Sequence, residues 1–197
     1  GAGTTAEGLC VGTMTKTGTE TPCSKPENAY DYTCKSCPVR SCEYQQQYDG
    51  TIISDCTATS CNQEVASYTC LANYYDNGAG SCSKCGDNSS TRSGNSETVC
   101  TCDTGYSTDG TPDGGKTTTS AACKAITYAI TYNLNKGSNY TGAPENYTYG
   151  VGATINGTPT RTGYTFEGWC TDADLTKNCA KTQTISTTDT GHKAYYA

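Results

Sequence analysis

The residues with the most chemical potential are the 15 cysteines, at 10, 23, 34, 37, 42, 56, 61, 70, 82, 85, 100, 102, 123, 170 and 179. Grouped thiolates can hold zinc, exchange disulfides or close covalent staples. Cys34/Cys37 and Cys82/Cys85 are Cys-x-x-Cys pairs, and Cys100/Cys102 is a Cys-x-Cys pair. Zinc needs four thiolate or imidazole ligands in a closed tetrahedron, which Cys82, Cys85, Cys100 and Cys102 could supply. A dithiol redox centre needs a βαβ unit with a helix behind the motif, and no apolar period of 3.6 residues provides one. Cysteine at this density belongs to an oxidising compartment, where staples are the favoured state. The reading is disulfides, with no metal and no cofactor. His192 is the only histidine. Nucleophile–histidine–acid catalysis would have to run through it, with Ser186 or a cysteine, and no nucleophile elbow surrounds it. The acid pairs Asp172/Asp174 and Asp109/Asp113 sit in turn-like sequence, whereas a glycosidase holds its carboxylates across a deep cleft. Asp109-Gly110-Thr111-Pro112-Asp113-Gly114 lacks the ordered acidic spacing of a calcium loop and reads as a turn. The chain is expected to be non-enzymatic.

The elements that must position these residues are thin. Leu, Ile, Val and Phe number 16 of 197 residues, about 8%, well below the roughly 20% under which disorder is suspected. Staples must therefore replace much of a core. No apolar run approaches the ~20 residues of a membrane helix. Thirteen basic against 19 acidic residues give a net charge of −6, which speaks against a nucleic-acid partner. Gly1–Thr5 is polar and does not start with Met; it reads as the start of a mature, processed, secreted or cell-surface chain.

Cysteine spacing divides the chain into residues 1–66, a cysteine-rich segment of unknown type, 67–124, with six cysteines, and 125–197, with two. The expected fold class is mostly β: small disulfide-rich modules in a string. Only the last segment shows periodicity. Ile126, Tyr128, Ile130, Tyr132 and Leu134 alternate with small polar residues and Ala129, the pattern of a half-buried strand. Asn135-Lys136-Gly137 supplies turn chemistry after it. Val151–Ile155 and Lys193–Tyr196 are further strand candidates. The stretch 159–169 holds the only Phe and the only Trp, and Phe166, Trp169 and Tyr164 are expected to anchor a small core, since large aromatics bury ~150–250 Å² each. Cys170 and Cys179 bracket a short loop and are expected to be bonded. An odd cysteine count leaves at least one thiol free or bonded to another chain. Cys10 and Cys23, isolated near the start, are the candidates; an intersegment bond from Cys56 or Cys61 is the alternative.

Two segments resemble known families. Pro159-Thr160-Arg161-Thr162-Gly163-Tyr164-Thr165-Phe166-Glu167-Gly168-Trp169 resembles the hallmark of the internalin-type B repeat, or Listeria–Bacteroides repeat. Ile126–Leu134 and Ala194-Tyr195-Tyr196-Ala197 fall where that family places its first and last strands. The resemblance covers 126–197 and implies a ubiquitin-like β-grasp domain, non-enzymatic, used as a tandem spacer in bacterial surface proteins and adhesins. Asn135-Lys136-Gly137 departs from the family's Asn-Gly-Gly, and Cys170 from its usual aromatic. The sequence stops where the repeat usually continues, as in a piece of a longer protein or an end completed by a neighbour. The second resemblance is Cys82-x2-Cys85-x2-Asn88-Ser89-x-Thr91-x8-Cys100-x-Cys102-x2-Gly105-Tyr106, which looks like the EGF-like/TNF-receptor-like cysteine-rich module of Eph receptor ectodomains; Gly86 stands where that module usually has Pro. EGF-type connectivity implies Cys70–Cys85, Cys82–Cys100 and Cys102–Cys123. A sequential pattern, Cys70–Cys82, Cys85–Cys100 and Cys102–Cys123, is open beside it.

Tyrosine, with 16 copies, can serve thin cores whose side chains keep one wet end or an adhesive surface. Asn88, Asn139, Asn146 and Asn156 are formal glycan acceptors. The resulting expectation is a bacterial extracellular or cell-surface structural protein, a stalk or filament subunit. It would self-associate into a fibre through terminal strands and Tyr-rich surfaces. The alternative is an adhesin module that binds a host receptor or glycan.

Overall fold

The computed structural model describes residues 10–16, 19–38, 40–46, 48–54 and 61–197. Every regular element among them is a strand, most of two to four residues. Cys10–Lys16, Arg40–Gln46 and Ile52–Ser54 form an antiparallel sheet with Arg40–Gln46 in the centre. Glu20–Thr21 runs parallel to Cys61–Asn62. Ala29–Cys34 pairs with Val65–Cys70 through two register irregularities, so this pairing crosses position 66/67. The next segment is a ladder of short pairings: Tyr74–Asp76 with Cys82–Lys84, then Ser89–Ser90, Cys100–Cys102 and Thr117–Thr118, then Tyr106–Ser107 with Lys124–Ala125.

Staples stand in for a core along this ladder. Cys70, Cys82, Cys85, Cys100, Cys102 and Cys123 are all buried, with Tyr75 packed on Cys85 and Cys100. The bonds are Cys70–Cys82, Cys85–Cys100 and Cys102–Cys123, with Cα separations of 5.7, 5.9 and 5.8 Å. The crossed EGF-type pairs Cys70–Cys85 and Cys82–Cys100 are therefore replaced by sequential ones. The hairpin of Tyr74–Asp76 and Cys82–Lys84 is the cause: it returns Cys82 to Cys70 and carries Cys85 onward. Cys23 corrects a second expectation. It is bonded to Cys34 and is not a spare thiol, because the Ala29–Cys34 strand ends beside it at a Cα separation of 5.6 Å. Cys61 is bonded to Cys37 within its own segment. Cys10 opens the first strand, but its side chain lies outside what is described, as does Cys56 altogether.

Residues 125–197 contain the one sizeable apolar core of the described chain. Thr127–Asn133 is central, antiparallel to Asn146–Thr148 and parallel to Lys193–Tyr196. Its burial alternates as the sequence pattern requires, with Tyr128 and Ile130 inward and Thr127, Ala129 and Thr131 outward. Ala153–Ile155 and Gln183–Ile185, distant in sequence, form a second antiparallel pair, and Ile126, Ile155, Ile185 and Trp169 pack together in the core. Within this segment the first and last strands are parallel neighbours and there is no helix. Tyrosine supplies much of the remaining volume. Tyr128, Tyr147 and Tyr195 are buried, and each keeps the amphipathic tip that a thin core needs. Tyr147 donates its hydroxyl to the Gly191 carbonyl, and Tyr132 donates to the Pro144 carbonyl at 2.6 Å.

Candidate functional site

Two features of the described residues stand out: a series of connectors between staples, and an open groove on the last segment. The connectors begin as sequence. Cys70-Leu-Ala-Asn73, Cys85-Gly-Asp-Asn88 and Cys102-Asp-Thr-Gly105 each place Asn or Gly three residues after a staple cysteine. Asn73, Asn88 and Gly105 adopt left-handed backbone, with φ of 66°, 60° and 84°, a conformation that Asn and Gly tolerate best. Asn28, with φ of 59°, plays the same part upstream. The turn aims its carbonyl forward. Asn28, Asn73 and Asn88 accept from the N–H groups of Leu71, Cys85 and Asp103 at 3.1, 2.9 and 2.9 Å. Two of the asparagines also clamp with their side chains: Asn28 Nδ2 donates to the Cys82 carbonyl and Asn88 Nδ2 to the Cys123 carbonyl, both at 3.1 Å. The Cys-x-x-Asn/Gly recurrence was visible in the sequence, but the cysteine spacing on either side of it is irregular, which masked it.

The groove is made by the stretch 159–169. Trp169 is fully buried. Its ring meets Phe166 edge-on at 5.3 Å and Tyr132 at 5.4 Å, and its Nε1–H donates to the Gly157 carbonyl at 3.2 Å. Phe166 is half-buried against it. Tyr164 departs from its expected role as a core anchor: it is 67% exposed. The Thr162-Gly163 turn, closed by Tyr164 N–H donating to the Arg161 carbonyl at 3.0 Å, swings the ring outward, and the Arg161 guanidinium stacks over it at 3.7 Å. The Cys170–Cys179 bond, with a Cα separation of 4.0 Å, forms one wall. Leu134, Pro159, Phe166 and Leu175 line an open, mainly apolar cavity of about 430 Å³, with Arg161 and Glu167 as its charged residues. Such a surface offers apolar contact, a cation and an aromatic face. Residues 128–191 match the Listeria-Bacteroides repeat domain. The match takes in the whole 159–169 hallmark and nearly all of the Thr127–Asn133 strand, but stops short of the last strand. It suggests a surface-associated repeat protein, and the staple-rich fold is consistent with an extracellular or surface location. The resemblance of 67–124 to the EGF-like/Eph-type module finds no support in the comparisons. No curated protein and no solved structure matches the chain.

Outside the repeat's groove, the chemically suggestive residues are placed apart. Cys34 and Cys37 enter different staples, as do Cys82 and Cys85. Among the described residues no cluster of three or more His, Cys, Asp or Glu is arranged for a metal. His192 is exposed, with Nε2 2.9 Å from Thr131 Oγ1. Ser186 is instead hydrogen-bonded to Asp189 at 3.0 Å. Asp172 accepts from Thr176 Oγ1 and from the N–H groups of Thr176 and Lys177, and these bonds, the Thr176 hydroxyl foremost, hold its carboxyl below the usual range. Asp109 is lowered in the same way by the backbone and side chain of Thr111. Both carboxylates act as turn locks. Of the four sequons, Asn88 spends its amide on Cys123, Asn139 is half-buried, and Asn146 and Asn156 are exposed.

Proposed function

We propose that the chain is a non-enzymatic structural protein of the bacterial exterior, a stalk or filament subunit that holds distance between whatever lies at its two ends. The observation that carries this reading is the order of the staples. Among the described residues, six bonds close six successive loops, 23–34, 37–61, 70–82, 85–100, 102–123 and 170–179, and none overlaps another. A single-centred domain ties distant segments together; a string of staples stiffens each stretch and passes the chain onward. Disulfides also raise resistance to unfolding outside the cell, where no chaperone repairs the chain. Assembly into fibres would use terminal strands such as Cys10–Lys16, an edge of its sheet, and exposed rings such as Tyr30 and Tyr164.

Small-angle scattering on the oxidised chain tests the stalk. A compact chain of this length has a radius of gyration of about 16 Å; the stalk requires a clearly larger value, and a value near the compact one ends the proposal. Sedimentation over a concentration series tests the filament version, which fails if the chain stays monomeric throughout. A second reading, an adhesin that takes a host receptor or glycan, is favoured by the exposed Tyr164 ring, stacked by Arg161, beside the apolar groove. Aromatic faces of this kind stack on sugar rings or partner side chains. Glycan-array binding that disappears in Tyr164→Ala would favour it over the stalk; a silent array would remove its glycan form.

A further inference from the structure

The connector series has a fourth member, and it does not serve a staple. The Gly105 carbonyl accepts from Ile126 N–H at 2.8 Å, the same bond that Asn28, Asn73 and Asn88 make to Leu71, Cys85 and Asp103. Leu71 and Asp103 each follow a staple cysteine and Cys85 is one, but Ile126 is the first core residue of the C-terminal segment. The repeat is thus seated in the slot that the ladder otherwise uses for its own next step.

We infer that residues 67–197 form one cooperative unit, locked where Tyr149 covers Gly105 and Tyr106, so that the chain does not hinge between ladder and repeat. Position 105 departs from the Asn of the rest of the series for a visible reason. The Tyr149 ring lies on the Gly105 backbone, and a Cβ there would fall inside the ring. Tyr106 meets the same ring edge-on at 5.5 Å. The chain between the two parts is not a linker: Lys124–Ala125 is a strand paired with Tyr106–Ser107. Two further bonds cross or brace the joint, Thr127 N–H to the Gly110 carbonyl at 3.0 Å and Tyr149 N–H to the Ile126 carbonyl at 2.9 Å. Buried Ser107 donates to the Thr111 carbonyl at 2.8 Å, which fixes the loop that carries Gly110. A hinge needs backbone free of such bonds and small contacts on both sides; this joint has neither. The inference stands apart from the stalk reading, since a receptor-binding chain would keep the same joint.

The test is denaturant unfolding of the full oxidised chain, followed at two places. Trp169 fluorescence reports the repeat, because it is the only Trp, and backbone amide resonances of 85–123 report the ladder. The expected result is one shared midpoint in the wild type and in Tyr149→Phe, which keeps the ring. Tyr149→Ala is expected to separate the two midpoints, with the repeat unfolding first. Separate midpoints in the wild type overturn the inference, and so does a shared midpoint in Tyr149→Ala. If Tyr149→Ala does not fold, native-state hydrogen exchange of the wild type decides. The amides of Ile126 and Tyr149 should exchange within about a hundredfold of Ile130 and Cys102; faster exchange at the joint than that refutes the lock.

Discussion

Alkaline pH is the most discriminating perturbation of the repeat, because three tyrosines are buried in its core. Tyr147 is 2% exposed, stacks on Tyr128 with ring centroids 5.3 Å apart, and donates its hydroxyl to the Gly191 carbonyl. Burial first, then the neighbouring Tyr128, Asp189 and Tyr195, pushes its hydroxyl up from the ordinary 10.0 to about 12. Below the ordinary value both the folded and unfolded chains keep this proton, and pH has no effect through it. Between the two values the unfolded chain loses the proton and the folded chain does not, so the native state is disfavoured as pH rises. The loss grows by about 1.4 kcal/mol per pH unit between the two values and levels off at roughly 2.7 kcal/mol above pH ~12. Tyr147→Phe removes the ionisation together with the bond to Gly191. At neutral pH the variant should be less stable by about 1 kcal/mol, the net worth of one hydrogen bond. The two stability curves should then converge and meet near pH ~11, where the wild-type loss equals that deficit. Tyr132 and Tyr195, also raised chiefly by burial, are present in both proteins and tilt both curves alike. Denaturant midpoints read from Trp169 fluorescence at steps from about pH 8 to about pH 12 provide the measurement. Curves that stay parallel across that range would refute the reasoning, as would a tyrosinate absorbance showing Tyr147 ionised near its ordinary value with the repeat still folded.

Four further outcomes are expected from denaturant unfolding. Replacing Cys170 and Cys179 together by Ser should lower stability by about 2–3 kcal/mol through the opened loop, with most of the change in midpoint and little in slope. Lys136, exposed with φ of 69°, holds a backbone that Gly adopts without cost, so Lys136→Gly should raise stability by about 0.5–1 kcal/mol. Trp169→Ala should cost about 3–5 kcal/mol, the range for a buried large aromatic, followed by circular dichroism since the fluorophore is lost. Tyr164→Ala, in the same hallmark, should stay within about 0.5 kcal/mol because the ring is exposed.

The alternation of Ile126 to Leu134 placed one strand with its inward face and nearly its ends, since a period of two has a single meaning on a half-buried sheet. The hallmark at 159–169 marked Trp169 as a core residue, and the turn at Asn135-Lys136 was readable from its residue types. The role of Tyr164 was not readable. Phe166 and Tyr164 have equal apolar appeal in a sequence, and only the Thr162-Gly163 turn decides which of them faces the core. The cysteine ladder was legible as a need for staples but not as a wiring scheme. Spacing is compatible with crossed and with sequential bonds, and the choice falls to a hairpin of two three-residue strands, too short to carry a pattern of its own.

The sequence alone therefore determined that this chain is β-rich, covalently held and poor in core, because composition limits what can be buried. It also located the one segment able to bury a tryptophan. Which cysteines meet, which tyrosines are inside, and the seating of Ile126 in the slot at Gly105 were decided only by the tertiary structure. Each depends on a left-handed turn or short hairpin that brings distant residues together, and such turns acquire their direction from the neighbours they pack against.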